Sequence, residues 1–135
     1  MPDVQVTKNF KRSEFECPHC HENKIQGALI QLVQKIRDKA GEPVHIESGY
    51  RCPEHNKKVG GVANSSHTLG LAADIYIGSN GNYWPQTKIA ALIKDMYKKG
   101  ELPELKYSYL INGKNKNTVH VDIDKSKKRW RVLAY

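Results

Sequence analysis

The amino-acid sequence predicts an α+β fold, in which a small, mostly antiparallel sheet has helices packed on one side. Two long segments place apolar residues at helical spacing, and several short stretches alternate between apolar and polar residues as strands do. The chain has 135 residues, of which 39% are hydrophobic, enough for one compact core and too few for two ordinary domains. We therefore expect residues 1–135 to form a single domain.

Two long helices are predicted. In the first, over residues 27–40, the helical spacing of the apolar side chains ends at Gly41. These side chains are Leu29, Leu32, Val33, Ile36 and Ala40. The second helix opens at Trp84-Pro85 and ends before Gly100, with Ile89, Leu92, Ile93 and Met96 on one face. A turn or short helix is expected at residues 53–58.

The remaining segments predict strands and one irregular region. Residues 44–47 alternate as a short strand, and residues 71–77 are apolar enough for a central strand. Residues 78–82 form a turn-rich break. Strands are also expected at about residues 106–111 and 118–123, joined by a turn at Asn112-Gly113, with an edge strand in residues 129–135. Residues 1–25 are polar and read as an irregular segment held on the core by Phe10 and Phe15.

The charge narrows the classes of partner. Twenty-two Lys and Arg against 14 Asp and Glu give a net charge of +8, which favours a polyanion such as nucleic acid, an anionic membrane face or an anionic cell wall. A dedicated nucleic-acid module is disfavoured, because few aromatic residues are interleaved and the basic residues form one dense cluster. That cluster is Lys125, Lys127, Lys128, Arg129 and Arg131.

The sequence also bears on membranes and export. No apolar run approaches the roughly 18 residues of a membrane span, and the first residues lack the basic and apolar regions of a signal peptide. We expect a monomer that does not insert into membranes and is made in the cytoplasm without an export signal.

Three cysteines, Cys17, Cys20 and Cys52, form an odd set in a chain without a recognisable export signal, which disfavours a disulfide framework. The first two belong to a C-P-H-C-H stretch that also contains His19 and His21. Thiolates and imidazoles together satisfy a closed zinc site, so a second, structural zinc at the three cysteines is one interpretation. Buried thiols are the other, and a redox motif is less favoured because no thioredoxin-like βαβ pattern surrounds it.

The most informative segments lie further along the chain. His67 precedes the predicted central strand, Asp74 lies on that strand, and His120 lies on a later one. Catalytic zinc sites use three nitrogen or oxygen ligands from the protein and leave a position open, and a tight turn at Gly70 would bring the first two side chains together. On spacing alone, however, histidines held by hydrogen bonds in a structural role are the commoner case.

The stretch SGYRCPEHNKKVGGVANSSHTLGLAADI, with VHVDI at residues 119–123, resembles a known family. Its pattern S-x-H-x-x-G-x-A-x-D is matched here by Ser65, His67, Gly70, Ala72 and Asp74. The chain is similar, over about residues 10–130, to the zinc D-Ala-D-Ala carboxypeptidase and L-Ala-D-Glu endolysin peptidase family, whose fold is shared with the hedgehog signalling domain. The resemblance implies one catalytic zinc ion held by His67, Asp74 and His120.

The same resemblance implies roles for two more residues. Arg51 corresponds to the family's arginine that contacts substrate and polarises the scissile carbonyl, as a fixed guanidinium is suited to do. Without the motif, Arg51 would be taken for a surface charge in a solvated turn. Ser65 is expected either to bind substrate or to cap the turn that follows it.

The general base departs from the family pattern. Many members place Glu or Asp three residues before the last histidine ligand, whereas this sequence has Asn117, whose amide cannot serve as a base. Asp122, two residues after His120 and on the same strand face, is our candidate for a catalytic carboxylate. The alternative is that Asp122 accepts a hydrogen bond that orients a ligand or Arg51.

Together these features predict a zinc metallopeptidase that hydrolyses peptidoglycan stem or cross-link peptides containing D-amino acids. It would act as a carboxypeptidase or an endopeptidase, in an endolysin-like setting of phage lysis or on the virion. One alternative is a non-catalytic zinc-binding module of the same fold that binds cell-wall or protein partners. Another is a zinc-dependent nucleic-acid binder built on Cys17, Cys20 and the basic tail.

Overall fold

The fold is α+β, as predicted. The computed structural model describes residues 5–61, 65–111 and 117–125, together with the backbone of residues 133–134. The helices in this part of the chain are α1 (Gly27–Ala40), α2 (Pro53–Lys58) and α3 (Gln86–Lys98). The strands are β1 (Val44–Ser48), β2 (Ala72–Ser79), β3 (Asn82–Tyr83), β4 (Tyr107–Leu110), β5 (Val119–Asp122) and β6 (Leu133–Ala134). Two single-turn 3₁₀ helices span Arg12–Phe15 and Ser66–Leu69.

The strands form one mostly antiparallel sheet in the order β1-β2-β5-β4-β6. Strands β1, β2, β5 and β4 pair antiparallel in turn, whereas β6 runs parallel to β4 at the edge. In this register, Asp74 on β2 lies opposite His120 on β5, and His120 lies opposite Tyr109 on β4. The sheet therefore places the side chains of three strands next to one another on one face.

Alternation along the strands separates the core from the other face of the sheet. Ile75 on β2 and Val121 on β5 are buried in the core, whereas Asp74, His120 and Asp122 alternate with them and point the other way. The core also takes in apolar side chains from both long helices: Leu29, Leu32, Ile36, Ile89 and Ile93. Helices α1 and α3 thus cover one face, which leaves the opposite face for the polar residues.

The ends of the long helices follow their sequence signals. Helix α1 ends at Gly41, whose φ of 71° is the left-handed conformation that closes many helices, and its N–H donates to the carbonyl of Arg37. Helix α3 begins directly after Pro85, as predicted. Both helix predictions are therefore confirmed.

The N-terminal segment is irregular and lies over the core, also as predicted. Phe10 and Phe15 are fully buried in the main core cluster, with ring centroids 5.8 Å apart. The backbone N–H of Tyr50 donates to the carbonyl of Phe15 at 2.8 Å, which joins this segment to the chain that follows β1. Gly49 is needed at this contact, because a Cβ there would lie 2.6 Å from the Phe15 carbonyl oxygen.

Two regions differ from the prediction or lie outside it. The expected break at residues 78–82 is in fact a tight hairpin, in which β3 pairs with the end of β2 across Asn80 and Gly81, both with positive φ. An Asn-Gly pair is typical of such a turn, but β3 has only two residues, too few to show alternation. The predicted Asn112-Gly113 turn lies outside the described residues, and the expected edge strand is present as the backbone of β6.

None of the described helices has the length and apolar character that crossing a membrane requires.

Candidate metal centre

Three predicted ligands converge from separate elements. His67 comes from the 3₁₀ turn Ser66–Leu69, Asp74 from β2 and His120 from β5. One nitrogen or oxygen atom of each lies within 4.8 Å of the corresponding atoms of the other two, and all three side chains are buried. Two of these ligands are cross-strand neighbours, whereas His67 reaches the same point through a turn.

Gly70 makes that turn possible. Its φ of 70° is left-handed, and its N–H donates back to the carbonyl of His67. A Cβ at this position would lie 2.0 Å from the carbonyl oxygen of Lys24, so both the conformation and the space demand glycine. The turn sends the chain directly into β2, which brings His67 and Asp74 to one side of the sheet.

Hydrogen bonds to groups that can only accept orient both imidazoles. The Nδ1–H of His67 donates to the carbonyl of Gly49 at 2.8 Å, because a carbonyl can only accept. His120 Nε2–H donates to Asp122 Oδ2 at 3.0 Å. The remaining nitrogens, His67 Nε2 and His120 Nδ1, lie 3.3 Å and 2.8 Å from Asp74 Oδ1. Two imidazole nitrogens and a carboxylate oxygen therefore face one point. The other nitrogen of each imidazole is held by a hydrogen bond, as is usual for histidines that bind metals.

The donor set fits zinc. Zinc binds imidazole nitrogen and carboxylate oxygen at about 2.0–2.2 Å, and three such ligands are the usual complement of a catalytic site. The close approach of three polar groups in a buried cluster is expensive unless they are paired or bind a cation. The residues present thus match, in number and in chemistry, the zinc that the sequence analysis predicted.

The electrostatics of the cluster follow from these contacts. Burial would raise the pKa of the Asp74 carboxyl, but the adjacent imidazoles of His120 and His67 outweigh it and hold this pKa well below its usual range. Burial would lower the pKa of His120, but its hydrogen bonds to Asp122 and Asp74 raise it. The pKa of Asp122 is lowered, because the bonds from His120 and from the backbone N–H of Asp124 outweigh its burial. Without metal, the imidazolium form of His120 donates from Nδ1 to Asp74 and from Nε2 to Asp122, and a metal bound at Nδ1 would replace the Nδ1 proton.

Arg51 lies beside the three ligands. Its Nη2 is 3.4 Å from Asp74 Oδ2, its Nε donates to Ser48 Oγ at 3.0 Å, and its Nη1 donates to Asn56 Oδ1 at 3.3 Å. Its side chain is 18% exposed, so it is a held guanidinium and not a freely solvated surface charge. Arg51 also lines the cavity in front of the ligands, and its predicted contact with substrate stays a prediction.

That cavity has a volume of about 510 Å³, within the range of small-molecule and peptide sites. Its lining includes the three ligands, Arg51, Ser65 and Asp122. Ser65 is the N-cap of the turn that carries His67, and its Oγ accepts from the His67 N–H at 3.2 Å. The predicted capping contact is thus present, and the proposed substrate contact of Ser65 stays a prediction.

Asp122 and Asn117 occupy different environments. Asp122 lines the cavity, with one oxygen on His120 and the other accepting the N–H of Asp124 at 2.8 Å. Asn117 donates its side-chain amide to the carbonyl of Trp84 at 2.9 Å and is absent from the described cavity lining. The contacts of Asp122 are those of a residue that orients His120, and its role as a catalytic base stays a prediction.

Tyr109 was missed by the sequence analysis. Its ring stacks on that of His120, with centroids 4.4 Å apart, and it lines the cavity. Burial, together with the charges of Asp74 and Asp122, raises its pKa to about 12, so the phenol remains a hydrogen-bond donor at neutral pH. The available signal was the alternation of Tyr107 and Tyr109 on a predicted strand, but the strand pairing was needed to place them beside His120.

The three cysteines form a second cluster. One sulfur from each of Cys17, Cys20 and Cys52 lies within 4.8 Å of the other two, and none is in a disulfide. A structural zinc at these residues was one of the two interpretations of their sequence, and buried thiols were the other. The structure places them next to the active-site loop, since Cys52 directly follows Arg51.

Fold and site together define a class of protein with a zinc-type centre of two histidines and one aspartate on the open face of a small antiparallel sheet. A family model described as Peptidase M15 matches residues 8–122, and the chain belongs to this family. A stretch of 57 residues, 40% of the chain, is 39% identical to the zinc D-Ala-D-Ala carboxypeptidase of Streptomyces albus G, and it spans 22% of that protein. The predicted family is confirmed.

Proposed function

We propose that this chain is a zinc-dependent peptidase that hydrolyses peptidoglycan stem or cross-link peptides containing D-amino acids, as a carboxypeptidase or an endopeptidase. The observation that carries the proposal is the convergence of His67, Asp74 and His120 beside a held Arg51 in an open cavity. The substrate class is supported by the name of the relative from Streptomyces albus G, which is a zinc D-Ala-D-Ala carboxypeptidase.

The two histidines and Asp74 would hold the metal through unprotonated ring nitrogens and a carboxylate oxygen. When bound, zinc supplies Lewis-acid polarisation of the substrate carbonyl and acidifies a water molecule. The protein adds fixed orientation, because Gly49 holds His67 and Asp122 holds His120 through hydrogen bonds to the ring nitrogens that face away from Asp74.

Arg51 would bind the charge on the substrate. Its guanidinium is fixed by Ser48, Asn56 and Asp74, so little reorganisation is needed when a peptide carboxylate or a developing oxyanion arrives. A guanidinium suits either group, since it can donate two parallel hydrogen bonds. A free C-terminal carboxylate would favour carboxypeptidase action, whereas an internal carbonyl would favour endopeptidase action.

The net charge of +8 supports an anionic wall polymer as the surroundings of the substrate. Attraction of this kind weakens as salt screens it. An endolysin-like setting, with action on the cell wall after release or from the virion, belongs to the same proposal.

Digestion of purified peptidoglycan tests the proposal. The zinc-loaded protein should release new amino groups, and mass spectrometry of the fragments names the bond that is cut. His67→Ala should lose both the zinc and the hydrolysis. His45→Ala is the matched control, because His45 stacks on Tyr76 at 4.8 Å, outside the ligand cluster, and should keep both. Full hydrolysis by His67→Ala would refute the ligand assignment.

A non-catalytic zinc module of the same fold is the second candidate. It is favoured by one observation, that Asn117 stands at the family's usual base position and donates to the carbonyl of Trp84. Tight zinc binding without release of amino groups from any peptidoglycan preparation would select this alternative.

A further inference from the structure

A second metal-type cluster lies outside the candidate active site. It brings together Cys17 and Cys20, from the N-terminal segment, and Cys52, which lies four residues after the end of β1 and more than 30 residues after Cys20. Cys17 and Cys52 are buried and Cys20 is half-buried. The three sulfurs lie within 4.8 Å of one another. Within the described part of the chain, no strand pairing brings the N-terminal segment to Cys52, so this convergence is a specific feature of the fold.

A fourth donor lies beside Cys52. The Nδ1 atom of His19, between the first two cysteines, is 3.5 Å from Cys52 Sγ. Three thiolates and one imidazole make up a closed tetrahedral zinc site, in which zinc–sulfur distances are about 2.3 Å and zinc–nitrogen distances about 2.0–2.1 Å. We propose that Cys17, Cys20, Cys52 and His19 bind a second zinc ion, which is structural and separate from the candidate catalytic metal.

The backbone around the cluster is arranged for thiolates. The N–H of Cys52 donates to Cys17 Sγ at 3.4 Å, and the N–H of His55 donates to Cys52 Sγ at 3.4 Å. Hydrogen bonds from N–H groups to sulfur stabilise the ionised form, and the thiolate is the form that ligates metals. Buried thiols that serve only as small apolar groups need no such donors.

A disulfide accounts for the cluster less well. A disulfide would join two of the three sulfurs and leave the third beside it as a free thiol, whereas one soft divalent cation satisfies all three. The described chain holds the three as free cysteines.

The position of the cluster indicates what the ion would do. It would tie the N-terminal segment to the loop that contains Gly49 and Arg51, which already meets that segment through the hydrogen bond from Tyr50 N–H to Phe15. Gly49 accepts from His67, and the N–H of Arg51 donates to the carbonyl of His67 at 3.1 Å. The second zinc would therefore stabilise the loop that positions Arg51 and His67, without contacting substrate.

Metal content and thiol reactivity test this inference on the full chain, independently of any peptidase activity. The wild-type protein should bind about two zinc ions. Its thiols should resist alkylation until a strong chelator is added, because coordinated sulfur is not free to react. His67→Ala should lose one zinc and keep its thiols protected, which separates failure of the active-site assignment from failure of this one.

Single substitutions test the four ligands. Cys17→Ser should lose the second zinc and expose the two remaining thiols. His19→Ala should weaken the second zinc by about tenfold or more in competition with a chelator. His21→Ala is the matched control from the same short stretch, since its side chain is 72% exposed and contacts Glu16. Equal zinc affinity in the two histidine variants would overturn the assignment of His19.

Two results would overturn the site as a whole. One is that the wild-type protein binds a single zinc ion and the His67→Ala variant binds none. The other is thiols that react at the same rate with and without chelator, or that form a disulfide in the purified protein. If Cys17→Ser does not fold, thiol protection in the wild type and in His67→Ala still decides the question.

Discussion

Asp74 is the residue on which the candidate metal centre converges. Its Oδ1 faces His67 and His120, and its Oδ2 lies 3.4 Å from Arg51. A buried carboxylate stays ionised only when charge and hydrogen bonds compensate for lost hydration, and the two imidazoles do so here. The surrounding residues divide between those that hold the metal and those that face the substrate, so substitutions at Asp122 and Arg51 should have different effects.

Asp122→Asn should weaken zinc binding by about 10- to 100-fold, because the neutral amide orients His120 less well than the carboxylate does. Saturating zinc should restore much of the hydrolysis. Zinc affinity by chelator competition and kcat at saturating zinc are the two measurements. Asp95→Asn, which removes an exposed carboxylate paired with Lys99, should change neither.

The opposite pattern would assign Asp122 the role of catalytic base. In that case zinc affinity would be unchanged, and kcat would fall by about 10²- to 10⁴-fold even at saturating zinc. The observed hydrogen bond from His120 to Asp122 supports the first outcome.

Arg51→Lys should lower kcat by about 10²- to 10³-fold while zinc content stays at the wild-type level. The ammonium of lysine keeps the charge but cannot form two parallel hydrogen bonds to a carboxylate or an oxyanion. Steady-state kinetics on a defined stem peptide, with metal analysis, give the answer. Arg37→Lys on α1 is the control, and unchanged kcat in Arg51→Lys would remove Arg51 from the mechanism.

Among the structural elements, β2 and the turn before it matter most to the site. The 3₁₀ turn places His67, the left-handed Gly70 reverses the chain, and β2 delivers Asp74 opposite His120. Alternation along β2 assigns Ala73 and Ile75 to the core and Asp74 to the open face. A change in this short segment therefore affects both packing and the metal ligands.

Gly70→Ala should destabilise the protein and weaken zinc binding. The added Cβ meets the carbonyl of Lys24 at 2.0 Å and also takes on the strain of a φ of 70°. We expect a loss of about 1–3 kcal/mol or more in the free energy of unfolding, measured by urea denaturation. Backbone movement at this turn should displace His67, which chelator competition would detect as weaker zinc binding.

Gly100→Ala is the matched control for this substitution. Gly100 has a similar φ of 74° but open space where a Cβ would be. It should show only the backbone strain, about 1 kcal/mol, and normal zinc affinity. Equal effects of the two substitutions would mean that the contact with Lys24 is unimportant.

For the whole molecule, metal binding and folding should be coupled through protonation. The apolar core lies between the sheet and the two long helices, whereas the polar cluster lies on the other face, where ionisable groups are buried together. Zinc binds the folded site and requires unprotonated ligands, so it should stabilise the protein more as the pH rises. The stability of the metal-free protein should instead fall as the pH rises near neutrality.

The sign follows from His120. Its pKa in the folded, metal-free protein is raised, so its contribution to stability is fully present below the unfolded value of about 6.5 and is lost as the pH rises through the folded value. The Tm of metal-free protein should therefore fall as the pH rises above about 6.5, while the Tm increase caused by zinc grows over the same interval. Differential scanning calorimetry with and without chelator measures both.

His120→Gln provides the check on this coupling. In the metal-free state it should flatten the fall in Tm over the same pH interval, whereas His45→Ala should not. A steep fall that persists in His120→Gln would assign the effect to another group.

Local sequence signals predicted much of this protein. The apolar spacing and Gly41 define α1, Pro85 marks the start of α3, and the S-x-H-x-x-G-x-A-x-D pattern identifies the family together with His67 and Asp74. Each of these signals lies within one helix, at a helix end, or in one turn and the strand that directly follows it. A short segment is enough to encode them, because helical periodicity, left-handed glycine and turn chemistry depend on neighbouring residues.

Other features required distant segments to meet. The register that sets Asp74 opposite His120, the stacking of Tyr109 on His120 and the approach of Cys52 to Cys17 each join segments far apart in the chain. Alternation shows that Asp122 shares a face with His120, but not which group its carboxylate binds. Those contacts are fixed by packing of the core and pairing of the strands, which no single stretch of sequence specifies.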